Sequence, residues 1–403
     1  MALVPVAEAL ARVLAEAGPL PAEATPLAEA FDRVLAADVA ALRTQPPADV
    51  SAMDGYAVRA ADVAKVPVGL RLVGEVAAGH PFQGAVGAGE AARIFTGGVL
   101  PPGADTIVIQ ENAAREGDNV VIAASSGKGK HVRLEGLDFQ CGAVLLARGH
   151  RLTDRDLALA AAMNHPTLPV HRRPKVAVLA TGDELVMPGT TPGFGEIVYS
   201  NGYATMALAR REGCEVVDLG IVPDRLPETV AAARRARDVG ADILVTSGGA
   251  SVGDYDLVQK ALAAEGLALS FWKVALRPGR PMMHGRLGAM HVLGLPGNPV
   301  SSYVCAVLFL VPLMRRLAGR SDVEPALDIA RLGCDLPAND ERADYLRATL
   351  APGPNGMPVA TPAPVQDSSM LTRLARADCL LIREPHAPAV KAGEPCSIIT
   401  LAS

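Results

Sequence analysis

From Lys175 onward the chain alternates short, continuously apolar runs with helical stretches, and that alternation leaves little freedom of architecture. "KVAVLATG" (175–182), "EVVDLGIV" (215–222), "ADILVTSGG" (241–249) and "AMHVLGLPGNP" (289–299) read as strands. Helical patterns follow them over residues 201–213, after Arg225 with Pro227 near the start, over 254–265 and after Pro299. A strand that is apolar on both faces must be covered on both faces, so the pattern predicts a central α/β domain built on a parallel sheet.

The rest of the chain has a different texture. Residues 5–17 and 26–37 carry apolar positions at helical spacing on either side of Gly18-Pro19, which predicts a helix pair. From 43 to 134 short β-rich pieces lie between Gly/Pro turns, as in a small β module. Thr153 is placed to cap a helix running to about Asn164, and beyond 325 the chain returns to short β segments. The expected organisation is a discontinuous helical/linker domain (1–42 and 135–173), the β module (43–134), the α/β domain (174–322) and a C-terminal β domain (323–403).

Composition excludes several classes of function. Half of the 403 residues are apolar and 20% are charged, enough to bury several cores. The net charge of −5 and the lack of long Lys/Arg runs exclude a nucleic-acid footprint. Six scattered cysteines without CxxC spacing and eight dispersed histidines indicate neither a disulfide framework nor a zinc site, as expected of a reducing, cytoplasmic protein. Glu8, Arg12 and Glu16 interrupt the amino-terminal segment, unlike a signal peptide. The apolar run Tyr303–Met314 contains Pro312 and is shorter than the ~20 residues that cross a bilayer, so it reads as a buried helix and no membrane is expected.

In an open parallel sheet, ligands bind beyond the carboxyl ends of the strands. Three such ends carry unusual loops. The first has Gly182-Asp183-Glu184. The second, "SGGASVGDYD" (247–256), offers Ser247, Gly248, Gly249, Ser251 and Gly253 ahead of a helix, a cradle for anions. The third, "GLPGNPVS" (294–301), is a rigid turn with Pro296, Gly297 and Pro299, where Ser301 or Ser302 could cap the next helix. The glycine loop lacks P-loop and dinucleotide spacing. It matches the GxSxG elbow of serine hydrolases at Ser251, but no acid stands at the usual place downstream and no HGGG-type loop precedes it.

Lys273, Arg277 and Arg280 lie on "FWKVALRPGRP" (271–281), either as solvated edge-strand charges or as cations for an anionic ligand. Asp183, Glu184, Asp224, Asp254 and Asp256 crowd the strand ends and repel one another unless a cation lies among them. Oxygen ligands without His or Cys favour Mg²⁺. Together these features suggest phosphate-ester or phosphoanhydride chemistry. Asp54, in "SAMDGYAV" (51–58), is either the acid of a turn or part of that chemistry.

"PPADVSAMDGYAV", "FTGGVLPPGADTIV", "ATGDEL", "SGGASVGDYD", "LRPGRP" and "GLPGNPVS" occur in the order seen in the MoeA family, and the chain resembles these molybdopterin molybdenumtransferases, related to the gephyrin E domain, over nearly its whole length. The resemblance implies a four-domain subunit and a homodimer whose cleft joins the α/β domain of one copy to the β module of the other. It implies insertion of molybdate into adenylylated molybdopterin with Mg²⁺ and release of AMP. It further implies transient contact with a molybdopterin adenylyltransferase and with acceptor apoenzymes. Its functional acids fall on Asp54, Asp138, Glu184, Asp224 and Asp256, with Asp54 and Glu184 as candidate Mg²⁺ ligands. Its substrate-binding positions fall on Thr96, Lys273, Arg277, Pro296, Pro299, Arg347 and Ser368. Arg277 and Arg280 stand where lysines are frequent, and "QDSSM" (366–370) is less glycine-rich than usual. A scaffold protein that keeps the fold is the alternative, but it would not need all the acids.

Overall fold

The computed structural model describes residues 3–124, 126–248 and 257–401. At its centre is a six-stranded sheet in the order Glu215–Val222, Lys175–Thr181, Ile243–Ser247, Met290–Leu295, Pro281–Leu287, Ala268–Lys273. The first four strands in that order are parallel. Pro281–Leu287 runs antiparallel to both of its neighbours, Met290–Leu295 and the edge strand Ala268–Lys273, so the sheet is mixed where the sequence pattern predicts a parallel one. Lys175–Thr181 sends Val176 and Val178 to one face and Ala177 and Leu179 to the other, where they join separate cores. Helices Asn201–Arg211 and Pro299–Leu317 cover the first face, and Leu226–Asp238 with Leu257–Ala264 cover the second.

The helix Pro299–Leu317 is longer than the apolar run that announced it. Its nineteen residues are long and apolar enough to cross a bilayer, yet most of it is buried between the sheet and the C-terminal domain. Pro312 lacks an N–H and crowds the preceding turn, and the helix absorbs this with a π-type turn over Ala306–Leu310. Ser301 and Ser302 lie buried inside the helix and do not cap it; Asn298 occupies the cap position, and its side chain makes no capping bond to the helix.

The helix pair expected at the amino terminus is half right. Val6–Leu14 is helical and packs Ala9 and Val13 into the α/β core. Residues 26–37 form one 3₁₀ turn, Leu27–Glu29, and the preceding Ala22–Pro26 is a strand paired with Thr167–His171. The apolar residues there are buried by a partner distant in sequence: Ala30 and Leu35 share a core with Leu152, Ala160 and Leu168. Thr153 does cap Asp154–Ala162, in a capping box with Asp156.

Two β units flank this frame. Strands between Gly55 and Ile122 form a six-stranded sheet that includes Gly55–Val58 and Glu90–Ile94. In the C-terminal unit, Ala343–Ala351 pairs with both Val359–Pro362 and Cys379–Arg383, and the ring closes through Asp328–Leu332 and Pro395–Thr400 into a barrel. The two-residue strand Leu276–Arg277 of the α/β domain adds to its edge.

Phe309 is fully buried where sheet, long helix and barrel meet. Phe309→Ala is expected to lower the free energy of unfolding by about 3–5 kcal/mol, seen as an earlier urea midpoint at unchanged slope.

Candidate active site

Parallel pairing brings Thr181, Val222, Ser247 and Leu295 to one edge of the sheet. The chain leaves the Lys175–Thr181 strand for one side, Glu215–Val222, and returns to the other at Ile243–Ser247. That reversal opens a crevice at the carboxyl ends of these strands. A cavity of about 660 Å³ occupies it, lined by Thr181, Glu184, Ser247, Gly248, Pro296, Gly297, Asn298 and Pro299, and by Tyr199, Asn201 and Ser369, among others.

The backbone turns tightly here. Gly248 has φ +94°, and a Cβ would lie 2.3 Å from the Thr181 carbonyl oxygen. Gly182 has φ +154°, and a Cβ would lie 2.7 Å from the Glu184 carboxylate, which folds back over it. Asn201, at the start of its helix, donates from Nδ2 to the Gly297 carbonyl at 2.7 Å and ties the third loop to the crevice.

Of the residues singled out in the sequence, Glu184, Ser247, Gly248, Pro296, Gly297 and Pro299 line the cavity, with Gly182 directly under Glu184. Asp183, next to Glu184 in the chain, does not line the cavity; its Oδ1 accepts the Asp224 N–H at 3.2 Å. Burial, then the charges of Asp183 and Glu184, push the Asp224 carboxyl above its ordinary range. Its side chain is nevertheless exposed, so solvent screens most of that effect. Lys273 ends the edge strand opposite Pro281, which lines the cavity. Among the described lining residues Glu184 is the charged one, and Lys273, Arg277 and Arg280 do not line this cavity. Gly249, Ser251, Gly253, Asp254 and Asp256 lie outside the described residues.

Other positions stand apart. Asp54 and Thr96 belong to the β module, Asp138 lies exposed next to it, and none of the three lines the cavity of their own chain. Asp54 Oδ1 accepts both the Thr96 backbone N–H and the Thr96 hydroxyl, each at 2.8 Å. Those two bonds, with Arg93 nearby, hold its carboxyl below the ordinary range and leave Oδ2 unused by them. The partner of Asp54 is therefore 42 residues away in the chain, and not the local turn that the sequence offered as one reading. Arg277 is not directed at the cavity; it is bonded to Asp344 and Asp340 of the barrel. Arg347 is buried in the barrel, and Ser368 touches the proline loop through Asn298.

Sequence reasoning missed Tyr199, Asn201, Asn298 and Ser369. Asn201 had a faint signal, an Asn-Gly pair opening a helix. Ser369 had none, because its place depends on how the barrel docks.

The raised Asp224 carboxyl sets a test with a definite sign. A carboxyl raised in the fold stabilises fully below the unfolded value, near about pH 4, and that contribution is lost as pH rises through the folded value. Asp224→Asn is therefore expected to melt higher than the parent at pH 7 and equal to it below about pH 4. Thermal melts across that range check it, and a gain that persists in acid contradicts it.

A family model described as "MoeA N-terminal region (domain I and II)" matches residues 4–164. One described as "Probable molybdopterin binding domain" matches 177–316, and "MoeA C-terminal region (domain IV)" matches 329–401. A molybdopterin molybdenumtransferase of Nostoc sp. is 40% identical over 329 residues, covering 79% of this chain and 74% of that protein. One of Haemophilus influenzae is 34% identical over 374 residues, covering 92% of each. A solved molybdopterin biosynthesis MoeA protein of Pyrococcus horikoshii superposes with a TM-score of 0.85 at 30% identity, over 100% of both chains.

Proposed function

The chain belongs to the MoeA family of molybdopterin molybdenumtransferases, and from that premise we propose how its residues carry molybdate into adenylylated molybdopterin with release of AMP. The activity is a transferase step at the end of molybdenum cofactor biosynthesis. The observation that carries the residue assignment is Glu184 lining the crevice with Asp183 and Asp224 grouped beside it.

Among the described residues no three His, Cys, Asp or Glu side chains are arranged as a metal site. That donor chemistry still fits Mg²⁺, which is commonly held by one or two carboxylates together with substrate phosphates and water. Glu184 and Asp54 are the candidates, and Mg²⁺ bound there would offset the charge of the pyrophosphate. Glu184 reaches the cavity, with Asp183 and Asp224 bonded to one another beside it. Lys273, paired across from Pro281, is the candidate cation for placing molybdate.

Asp54 reaches this cleft in our reading only from a second copy. Its carboxylate is pre-oriented by Thr96 and held anionic, which suits a group presented to a partner's site. Leu42, Leu134, Leu137 and Val144, near the junction of linker and β module, are 55–65% exposed, as at an interface. These features support a homodimer. The six free cysteines support a reducing, cytoplasmic setting, in which an adenylyltransferase delivers substrate and apoenzymes take the product.

Glu184→Gln keeps the shape and removes the charge. Turnover, read as AMP release with Mg²⁺ and molybdate, is expected to fall about a hundredfold while the urea midpoint stays unchanged. A folded variant with near-normal AMP release removes Glu184 from the chemistry.

A further inference from the structure

The family resemblance puts Arg277 among the substrate ligands, yet its guanidinium is already engaged. Nε and Nη2 donate to the two oxygens of Asp344 at 2.7 and 2.6 Å, a forked pair that a lysine cannot form. Nη1 reaches Asp340 and Nη2 reaches the Asn339 side-chain oxygen, both at 3.2 Å. Asp344 is 7% exposed. An oxyanion that captured Arg277 would leave this buried carboxylate without its counter-charge, a strongly unfavourable exchange.

The pair sits where two domains share a sheet. Leu276 and Arg277 of the α/β domain lie in parallel register with Ala343 and Asp344 of the barrel. The same barrel strand carries Arg347, 1% exposed, whose Nη2 donates to the Asp367 carbonyl at 3.0 Å. Its backbone N–H and C=O are both bonded to the Gln366 side chain. The loop held in this way docks on the proline loop: Val300 N–H donates to the Ser368 carbonyl at 3.0 Å, and Asn298 Nδ2 donates to the Ser368 hydroxyl at 2.9 Å. The next residue, Ser369, lines the cavity.

We infer that Arg277 is a positioning residue: its fork on Asp344 fixes the barrel strand, and through Arg347 and Gln366 that strand holds loop 366–369 as a wall of the substrate cavity. This rests on the cavity being the substrate site. In this arrangement Arg277 touches no substrate. Substrate affinity depends on Asp344 as much as on Arg277, and the requirement is for the pair rather than for a cation at position 277.

The test uses the full-length protein with Arg277→Ala, Asp344→Asn and the exchanged pair Arg277→Asp/Asp344→Arg. Hydrogen exchange of residues 366–370 is measured without substrate, and KM and kcat are measured with adenylylated molybdopterin. Both single variants are expected to exchange faster at 366–370 and to raise KM about tenfold, with kcat changed less than about threefold. The exchanged pair should return both readouts to within about threefold of the parent. Asp344→Asn with unchanged exchange and an equal or lower KM overturns the inference, because the freed guanidinium then acts as a ligand. So does an exchanged pair that recovers protection but not KM. Should the exchanged pair not fold, Asp344→Asn decides alone. If the parent shows no turnover, the functional reading fails while the exchange measurement still judges the clamp.

Discussion

Parallel pairing of four strands, three of them buried inside the sheet, is the constraint on which the rest depends. Because Lys175–Thr181, Glu215–Val222, Ile243–Ser247 and Met290–Leu295 run the same way, their carboxyl ends meet at one edge. Burial on both faces keeps them aligned, since any slip would move Val176 and Val178 out of one core and Ala177 and Leu179 out of the other. The first strand lies inside the sheet, so the chain must turn back across it, and the crevice opens at that reversal. Carboxylates, glycine turns and proline loop are therefore neighbours through topology, although the sequence separates Thr181 from Pro299 by more than a hundred residues.

The barrel completes what the sheet begins. A sheet edge offers a shallow crevice, and loop 366–369 adds a wall to it through Ser369. That wall is held by backbone and amide bonds around Arg347 and by the forked pair at the domain seam. Arg347 is deeply buried, and burial lowers its proton affinity only in part because Asp367 acts against it. The cations that the sequence seemed to offer to an anion are thus partly committed to the protein itself.

Much of this was legible in the residues, for identifiable reasons. Continuous apolar runs and the Thr153-Asp156 capping box are local signals, and the strands, helices and cap fall where they indicate. The segment 26–37 misled because helical spacing of apolar residues cannot reveal that Ala30 and Leu35 are buried by a remote partner. Ser301 and Ser302 looked like caps because the cap position was placed too far along; Pro299 starts the helix earlier and buries both. Arg277 is ambiguous for a similar reason. A cation beside a proline loop has the same sequence signature whether it meets a ligand or a carboxylate from another domain. Asp54 was legible as important and not as to where, since its loop touches only its own β module.

The central claim is that one cleft joins Glu184 of the sheet edge to Asp54 of a second copy. Co-expression of Asp54→Ala and Glu184→Ala chains, each inactive alone, tests it directly. Half of randomly paired dimers are mixed, and each mixed dimer has one cleft with both lesions and one with neither, so AMP release should recover to roughly a quarter of the wild-type rate. Activity that stays at the single-variant level, with mixed dimers confirmed by mass spectrometry, contradicts a shared cleft.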